Sequence, residues 1–322
     1  PEVLVWRTDA GLRVAAFAPE GRGGEDAVRS RLERVRACFP DTYRHPRGAQ
    51  VSLELSASRS AFEARVNLAL EAIASGHLKK VVLARSLDAD GTAPFDVVDV
   101  LSRLREQNPR CATFLFRAPD GTCFLGATPE TLCRVDVRVL ETEALAGTAA
   151  PGQAAEGLRG HDKDLREHDS VVRYILAALR PLSEQVTSDA EPALLPAEER
   201  GATCARAIRA ELRQGVTAAQ VVAALHPTPA VGGFPRERAL AFLLEHEGLD
   251  RGWYAGPVGW VGPKRAHLMV ALRSALVRGA KARLFVGVGL VAGSTPEAEW
   301  RETEMKSLAM LRALGGGDVV RR

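Results

Sequence analysis

The chain is built from short apolar runs that glycine and proline residues separate, and these runs alternate with segments of helical periodicity. The clearest pair of runs, 111–117 and 122–127, is joined by Pro119-Asp120-Gly121, which has the turn chemistry of a β-hairpin. The other predicted strands lie near 3–7, 12–17, 80–85, 254–262, 266–277 and 282–291, and a further strand pair lies at about 133–146. The predicted helices lie near 60–75, 162–182, 235–247 and 294–314. This order predicts an α+β fold in which large, mostly antiparallel β-sheets pack together and are flanked by helices.

Three local patterns predict where helices begin. Segments 60–63 and 294–297 have the spacing of a capping box, in which a serine is followed three residues later by a glutamate. Thr128-Pro129-Glu130 predicts a further short helical start, with threonine as the cap and proline at the first helical position. Because the sequence has no tandem repeat, linker or low-complexity segment, we expect one domain over residues 1–322.

The composition is that of an ordinary globular protein, with 46% hydrophobic residues, 26% charged residues and a formal net charge of +3. It contains no block of basic residues with interleaved aromatics, so we expect no nucleic-acid partner and no membrane partner. No apolar stretch approaches the ~18 residues that a membrane span needs. The five cysteines form no C-x-x-C pair, which argues against a disulfide framework and predicts a reducing, cytoplasmic location.

Lys80 and Glu130 each allow a structural and a functional interpretation. Lys80 opens an apolar strand, where a lysine more often extends its amine to solvent, but a desolvated lysine there could act as a general base. Glu130 follows a strand and could either complement a helix N-terminus or serve as a positioned general acid. Residue type and position leave both alternatives open.

Two acidic pairs recur with one spacing. Asp164 and Glu167 lie three residues apart on one predicted helix, and Glu299 and Glu302 do so on another, so each pair occupies one helix face. Such pairs more often face solvent, but two acidic faces brought together would supply the oxygen ligands that Mg²⁺ takes. The absence of Cys/His ligand spacing argues against zinc.

Four further residues are candidates for a binding role. Arg273 lies on an otherwise apolar strand, where a guanidinium needs a partner such as a carboxylate. Gly287 and Gly289 lack the third glycine of a dinucleotide-binding motif, and could instead let backbone N–H groups approach an anion. His226 stands among prolines, where a structural role is at least as common as a functional one.

Taken in order, these segments resemble the chorismate-utilising enzymes, and most closely the isochorismate synthases. The matching motifs are Lys80-Val-Val-Leu-Ala-Arg85, Leu125-Gly-Ala-Thr-Pro-Glu130, Glu143-Ala-Leu-Ala-Gly-Thr148, Arg166-Glu-His168, Leu225-His-Pro-Thr-Pro-Ala-Val-Gly-Gly-Phe-Pro235, Arg251-Gly-Trp-Tyr-Ala-Gly-Pro-Val-Gly259, Val270-Ala-Leu-Arg273 and Glu297-Ala-Glu-Trp-Arg-Glu-Thr303. The resemblance covers roughly residues 55–315 and is faint in the first 50. One departure is the segment 201–206, where relatives commonly have a His-Leu pair.

The resemblance implies a chorismate-binding catalytic domain, chorismate as substrate and Mg²⁺ as cofactor. In such enzymes water adds at C2 of the ring while the C4 hydroxyl leaves. The implied base that activates water is Lys80, and the implied acid that protonates the departing hydroxyl is Glu130. The implied Mg²⁺ carboxylates are Glu167 and Glu302, with Asp164 and Glu299 in support. The implied substrate-binding residues are Gly147, Thr148, His226, Tyr254, Arg273, Gly287, Gly289 and Lys306.

Lys80 also separates branches of the family. Relatives that use ammonia, such as the anthranilate synthases, generally lack this lysine and work with a glutaminase, so we expect a monomer without a glutaminase subunit. Salicylate synthases keep the lysine and add pyruvate elimination, and they remain the alternative. A catalytically silent relative is disfavoured because Lys80, Glu130, Glu167 and Glu302 are all present. The sequence does not distinguish a siderophore, menaquinone or salicylate pathway.

Overall fold

The computed structural model describes the backbone of residues 3–8, 11–16, 24–37, 51–55, 58–148, 162–191, 193–197, 201–315 and 320–321. Side chains are described for residues 26–33, 58–144, 171–191, 193 and 205–315. The chain divides into two compact units, 1–47 and 48–322, and the expectation of one domain stays a prediction. In the first unit, β1 (Val3–Thr8) and β2 (Gly11–Ala16) form the predicted hairpin, and α1 spans Gly24–Ala37.

The second unit contains a first large sheet of eight strands among the described residues. These are β3 (Val51–Leu55), β4 (Lys80–Gly91), β5 (Ala112–Arg117), β6 (Cys123–Thr128), β12 (Gly233–Phe234), β15 (Ser274–Arg278), β16 (Lys281–Leu290) and β17 (Val320–Arg321). Their spatial order is β17-β3-β4-β16-β15-β6-β5, and β12 pairs with the start of β4. Only the pairing of β17 with β3 is parallel in this sheet, which confirms the predicted mostly antiparallel arrangement.

A second large sheet has seven described strands, all in antiparallel pairs. These are β7 (Thr131–Asp136), β8 (Val139–Thr148), β9 (Ser183–Ser188), β10 (Ala193–Ala197), β11 (Gly201–Leu212), β13 (Pro257–Val261) and β14 (Arg265–Val270). The main order is β10-β11-β8-β7-β14-β13, with β9 also paired to β11. Strands β9 to β11 lie in a part of the chain for which the sequence pattern predicted no element.

Helices cover both sheets and bury their apolar faces against them. Those of the second unit are α2 (Arg59–Ala74), α3 (Val97–Gln107), α4 (Asp162–Leu179), α5 (Ala218–Leu225), α6 (Arg236–His246) and α7 (Pro296–Leu314). Helix α4 packs on the second sheet through Val172, Ile175 and Leu179, each less than a twentieth exposed. Burying such a side chain stabilises the fold by roughly 1.5–3 kcal/mol. The helix predicted near 162–182 is therefore confirmed, and the apolar face of its described part is buried.

The run predicted as one strand over 266–277 is in fact two strands, β14 and β15, that belong to different sheets. The chain crosses between the sheets at 271–273, where Arg273 has a φ of 46°, a left-handed conformation uncommon outside glycine. Ala255 N donates to Ala271 O (2.9 Å) and Ala271 N donates to Gly256 O (2.8 Å), which holds the crossing. The alternating apolar pattern runs through both strands, so it cannot reveal the break.

A second crossing lies beside the first. The chain passes from β6 to β7 at Pro129 and Glu130, so the helical start predicted there is wrong. Strand β6 pairs with β15, and β7 pairs with β14, which makes one two-stranded ribbon that runs through both sheets. Ala127 N donates to Arg273 O (3.3 Å), and Val270 N donates to Glu130 O (3.0 Å). Glu130 and Arg273 therefore lie at the bend of this ribbon.

The two predicted capping boxes are also wrong. Helix α2 is capped by Ser58, whose Oγ accepts a hydrogen bond from Ala61 N (3.2 Å), and not by Ser60. Helix α7 begins after Thr295 without a side-chain capping bond, because Ser294 instead accepts a bond from the preceding loop.

Two expectations about the environment of the chain bear on the described residues. Among them, no helix combines the length and the apolar character that crossing a membrane requires. Cys123 and Cys133 are buried free thiols, and Cys111 is a partly exposed thiol.

Candidate active site

Lys80 lies at the start of a buried strand beside the predicted glycines. Its side chain is only 5% exposed, so it does not extend its amine to solvent as the structural alternative required. Strand β4 pairs with β16, and this places Gly287 opposite Ala84 and Gly289 opposite Val82. The predicted base and the predicted glycines therefore belong to two neighbouring strands.

Glu130 is held at the ribbon bend by its backbone. Its N–H donates to Thr128 Oγ1 (3.2 Å), and its carbonyl oxygen accepts from Val270 N. The residue is partly exposed to solvent, although protein surrounds its carboxyl closely. The backbone bonds fix where this carboxyl stands between the two sheets.

The charge state of Glu130 is unusual for a glutamate. Burial raises its pKa to about 7, although the ammonium of Lys80 opposes the rise. Two weaker effects come from the Glu143 carboxylate, which raises the pKa, and from Lys306, which lowers it. Near neutral pH the carboxyl is therefore about half protonated, the state in which a general acid can give up a proton.

Tyr254 lies against the strand of Gly287. Its ring stacks on Phe285 with 5.5 Å between the ring centroids and 14° between the planes. A Cβ added at Gly287 would stand 2.7 Å from Tyr254 Oη and 3.3 Å from Leu83 O, so only glycine leaves room for the phenol. Burial raises the pKa of Tyr254, which keeps its hydroxyl protonated and able to donate a hydrogen bond.

Helix α7 places Lys306 against the strand of Gly287. The same helix carries two carboxylates that are predicted for the metal site. Lys306 Nζ donates to Gly287 O (3.0 Å) and pairs with Glu302 Oε1 (2.6 Å). Glu299, one helical turn earlier, is only 8% exposed, whereas the side chain of Glu302 is 41% exposed. These carboxylates are one turn apart on one helix, as the sequence spacing predicted.

His226 ends α5 and precedes a cis bond to Pro227. Its carbonyl oxygen accepts a hydrogen bond from Arg236, whose guanidinium also donates to Tyr174 Oη (3.3 Å). Burial, with a smaller contribution from Arg236, lowers the pKa of His226 to about 4, so the imidazole is neutral at pH 7. Its Nδ1 is buried and makes no hydrogen bond within the described protein. A neutral ring with one such nitrogen suits a substrate hydroxyl.

Arg273 occupies the other side of the ribbon bend from Glu130. Its Nη1 is 3.5 Å from Asn108 Oδ1 and 3.5 Å from Cys111 Sγ, at the end of α3. The side chain is partly exposed, so a ligand can reach it from solvent. Its role as a carboxylate contact stays a prediction.

Four predicted site residues have no described side-chain environment. Asp164 and Glu167 lie on α4, and Gly147 and Thr148 lie at the end of β8, but their surroundings are outside the described side chains. Their assigned roles therefore stay predictions. Among the described residues, no group of three or more His, Cys, Asp or Glu side chains is arranged to hold a metal.

The backbone at Gly147 nevertheless shows a specific feature. Thr148 pairs with Thr203 but Ala146 pairs with Cys204, so the register between β8 and β11 shifts by one residue. Gly147 is thus the extra residue of a β-bulge, a device that redirects backbone groups. The strand opposite the bulge contributes Thr203 and Cys204, which lie in the segment 201–206.

Sequence reasoning missed two features close to these residues. A buried ion pair of Glu247 and Arg251 contacts β4, and its only sequence signal was an acid four residues before an arginine. Glu143 acts electrostatically on Glu130 and lines a cavity of about 490 Å³ on the second sheet. The cavity is polar, with the pair of Arg209 and Glu141 (3.1 Å) on its wall.

Comparison with known proteins agrees with this geometry. The family model described as chorismate binding enzyme matches residues 22–315. The salicylate biosynthesis isochorismate synthase of Pseudomonas aeruginosa is 39% identical, over 92% of this chain and 65% of that protein. The isochorismate synthase MenF of Haemophilus influenzae is 33% identical, over 97% of this chain and 73% of that protein. The chain thus spans 65% of the length of the first of these relatives.

Solved structures show the same architecture. The menaquinone-specific isochorismate synthase MenF from Escherichia coli aligns with a TM-score of 0.79 at 30% identity, over 90% of this chain and 69% of that chain. Anthranilate synthase component I from Streptococcus pneumoniae aligns with a TM-score of 0.81 at 22% identity, over 92% of this chain and 69% of that chain, and shares the fold. Because the family model covers most of the sequence and a relative of this kind is matched over nearly the whole chain, the protein belongs to the chorismate-binding enzymes.

Proposed function

We propose that the chain is an isochorismate synthase, an isomerase that moves the hydroxyl group of chorismate from C4 to C2. Relatives that carry this name match nearly the whole chain. The observation that carries the proposal is a carboxyl with a pKa of about 7, Glu130, under the influence of the buried ammonium group of Lys80. An acid and a base close to each other suit a reaction that adds water at one carbon while a hydroxyl leaves another.

The proton transfers follow from these two groups. Lys80, in its neutral form, takes a proton from the water molecule whose oxygen bonds to C2. Glu130, in its protonated form, gives a proton to the C4 hydroxyl, which leaves as water when the C4–O bond breaks. One water molecule enters and one departs, so the reaction is a reversible isomerisation. Exchange with solvent then returns Lys80 and Glu130 to their starting protonation states.

The remaining residues would bind a substrate with two carboxylates. Arg273 and Tyr254 supply a guanidinium and a protonated hydroxyl for the enolpyruvyl carboxylate. Gly287 and Gly289 allow the substrate to approach the backbone of β16 closely. His226, a neutral imidazole, would contact the C4 hydroxyl.

We also propose that Mg²⁺ is the cofactor, because the donors are of the right chemical kind. Glu302 and Glu299 offer carboxylate oxygens from one face of α7, and Mg²⁺ prefers such ligands. Glu302 pairs with the ammonium group of Lys306, and this contact with a positive charge supports the proposal. Glu302 and Glu167 would hold the ion, with Glu299 and Asp164 in support. When bound, the ion would neutralise and orient the ring carboxylate of the substrate.

Product analysis tests the proposal directly. Chorismate is incubated with the protein and Mg²⁺, with and without EDTA, and the products are separated by chromatography. A metal-dependent equilibrium mixture of chorismate and isochorismate without pyruvate is expected. Salicylate with equimolar pyruvate would instead identify a salicylate synthase, and absence of any product would favour a silent relative. Activity in the purified chain alone would also support the expectation that no glutaminase is needed.

A further inference from the structure

We propose that Glu247 and Arg251 are positioning residues, a buried ion pair that fills a gap between the described strands beside β4. The pair would fix Lys80, the loop of His226 and Tyr254 relative to one another. This inference rests on the proposed function, because it concerns the geometry of the reacting groups.

The two side chains form a fork-to-fork pair after helix α6. Arg251 Nε donates to Glu247 Oε2 and Arg251 Nη2 donates to Glu247 Oε1, each at 2.6 Å. The Glu247 side chain is 4% exposed and that of Arg251 is 19% exposed. Two parallel charge-assisted bonds give such a pair one defined orientation.

The pair completes an edge of β4 along which the described residues place no strand. Strand β12 covers the first two residues of β4, and β3 pairs with it only from Leu87 onward. Between them, Arg251 Nη2 donates to Val82 O (2.6 Å), and Ala84 N donates to Glu247 Oε1 (2.7 Å). The carboxylate and the guanidinium therefore satisfy buried backbone groups that would otherwise lack partners.

The same arginine joins two other parts of the site. Its Nη1 donates to Val231 O (2.9 Å), within the loop that follows His226. Its own carbonyl oxygen accepts a hydrogen bond from Tyr254 N (2.8 Å). The side chain of Arg251 thus connects the strand of Lys80 with the loop of His226, and its backbone carbonyl binds the segment of Tyr254.

The presence of an ion pair at this place indicates that the pair positions predicted site residues. Buried charges are expensive to desolvate, and apolar side chains of similar volume often stabilise a fold as well or better. Apolar side chains cannot, however, bond to a backbone N–H and to two backbone carbonyls at once. The pair therefore supplies directional side-chain contacts to two elements, the strand of Lys80 and the loop of His226.

The chain offers a matched control in a second acid–arginine pair. Asp99 and Arg103 are also four residues apart, with 2.5 Å between them and an Asp99 side chain that is 6% exposed. Arg103 also reaches Ala313 O at the end of α7. Loss of this pair removes a buried charge in the same way, but at a place where no site residue is predicted.

The experiment compares Glu247→Gln, Glu247→Ala and Arg251→Lys with Asp99→Asn, Asp99→Ala and the unchanged protein. For each variant, kcat and KM for isochorismate formation are measured on the folded fraction, which circular dichroism determines. Displacement of reacting groups by about 1 Å costs about 100-fold, so kcat should fall by about that factor in Glu247→Ala. Glu247→Gln keeps an acceptor for Ala84 N and should recover part of the loss. Arg251→Lys should not, because lysine lacks the fork.

The Asp99 variants should keep the unchanged kcat. Equal kcat values in the Glu247 and Asp99 variants would overturn the inference. Hydrogen exchange at the Ala84 amide is a measurement that does not depend on enzymatic activity. Protection of this amide should fall in Glu247→Ala and persist in Asp99→Ala. Unchanged protection would also overturn the inference. If the unchanged protein forms no isochorismate, the proposed function fails, while the exchange result still decides whether the pair holds β4.

Discussion

Replacement of Glu130 by glutamine tests whether the protein holds this carboxyl in an environment that favours its protonated form. Glutamine has nearly the same size and cannot ionise, so the variant keeps the packing at the ribbon bend and removes the titration. We expect two consequences. The variant should lose isochorismate formation by at least about 100-fold, the usual contribution of a general acid. Its stability should also depend on pH differently from that of the unchanged protein.

The magnitude follows from the pKa of Glu130, which burial raises from 4.5 to about 7. A change of this size in proton affinity corresponds to about 3 kcal/mol. Because the folded-state pKa is the higher one, the bound proton contributes stability that is fully present below about pH 4.5 and is lost as the pH rises through about 7. The free energy of unfolding of the unchanged protein should therefore fall, relative to Glu130→Gln, by up to about 3 kcal/mol over this range.

The assay is urea unfolding of both proteins at about pH 5 and about pH 8.5, followed by circular dichroism. Any direct cost of the glutamine amide is present at both pH values and cancels in the difference between them. All other ionisable groups are shared, so their titration also cancels. The quantity to compare is the change in the stability difference between the two pH values, with equal m-values as the check that both proteins unfold alike.

One outcome would refute the reasoning about Glu130. If the stability difference between the two proteins is the same at both pH values, the carboxyl is not held in a state that resists ionisation. The loss of activity in Glu130→Gln would then need another cause, such as a lost hydrogen bond to the substrate.

Three other substitutions test the rest of the site. Lys80→Ala should lower kcat by at least about 100-fold while calorimetry still detects chorismate binding, and turnover near the unchanged value would show that Lys80 is not the base. Glu302→Gln should raise the Mg²⁺ concentration for half-maximal activity by about tenfold, and an unchanged requirement would remove Glu302 from the metal ligands. Gly287→Ala places a Cβ 2.7 Å from Tyr254 Oη, and overpacking of about 1–3 kcal/mol should raise the KM for chorismate by about tenfold. A KM equal to that of the unchanged protein would mean that the phenol moves aside freely.

The sequence pattern predicted most elements of the fold for a physical reason. Period-two and helical apolar patterns report which face of a strand or helix is buried, and β4, α2 and α4 carry such patterns clearly. The same pattern carries no information on which sheet receives a strand. It therefore predicted one strand over 266–277, where a change in the backbone at Arg273 sends the chain from the second sheet into the first.

The candidate site was predictable in part. The charged residues inside apolar strands, above all Lys80, indicated a site because burying a charge is costly unless the charge is paired. The motif resemblance then assigned the roles. The pKa of Glu130 and the contacts of Arg251 depend on neighbours that are distant in sequence, so only the assembled structure shows them.

The ribbon of β6, β7, β14 and β15 has a consequence for how activity appears during folding. Glu130 and Arg273 lie where this ribbon leaves the first sheet and enters the second, so neither sheet alone carries both residues in place. An intermediate with one sheet formed would have native-like secondary structure and no competent site. Recovery of activity after dilution from denaturant should therefore coincide with the last step, in which the two sheets dock, and should lag behind the return of the circular dichroism signal.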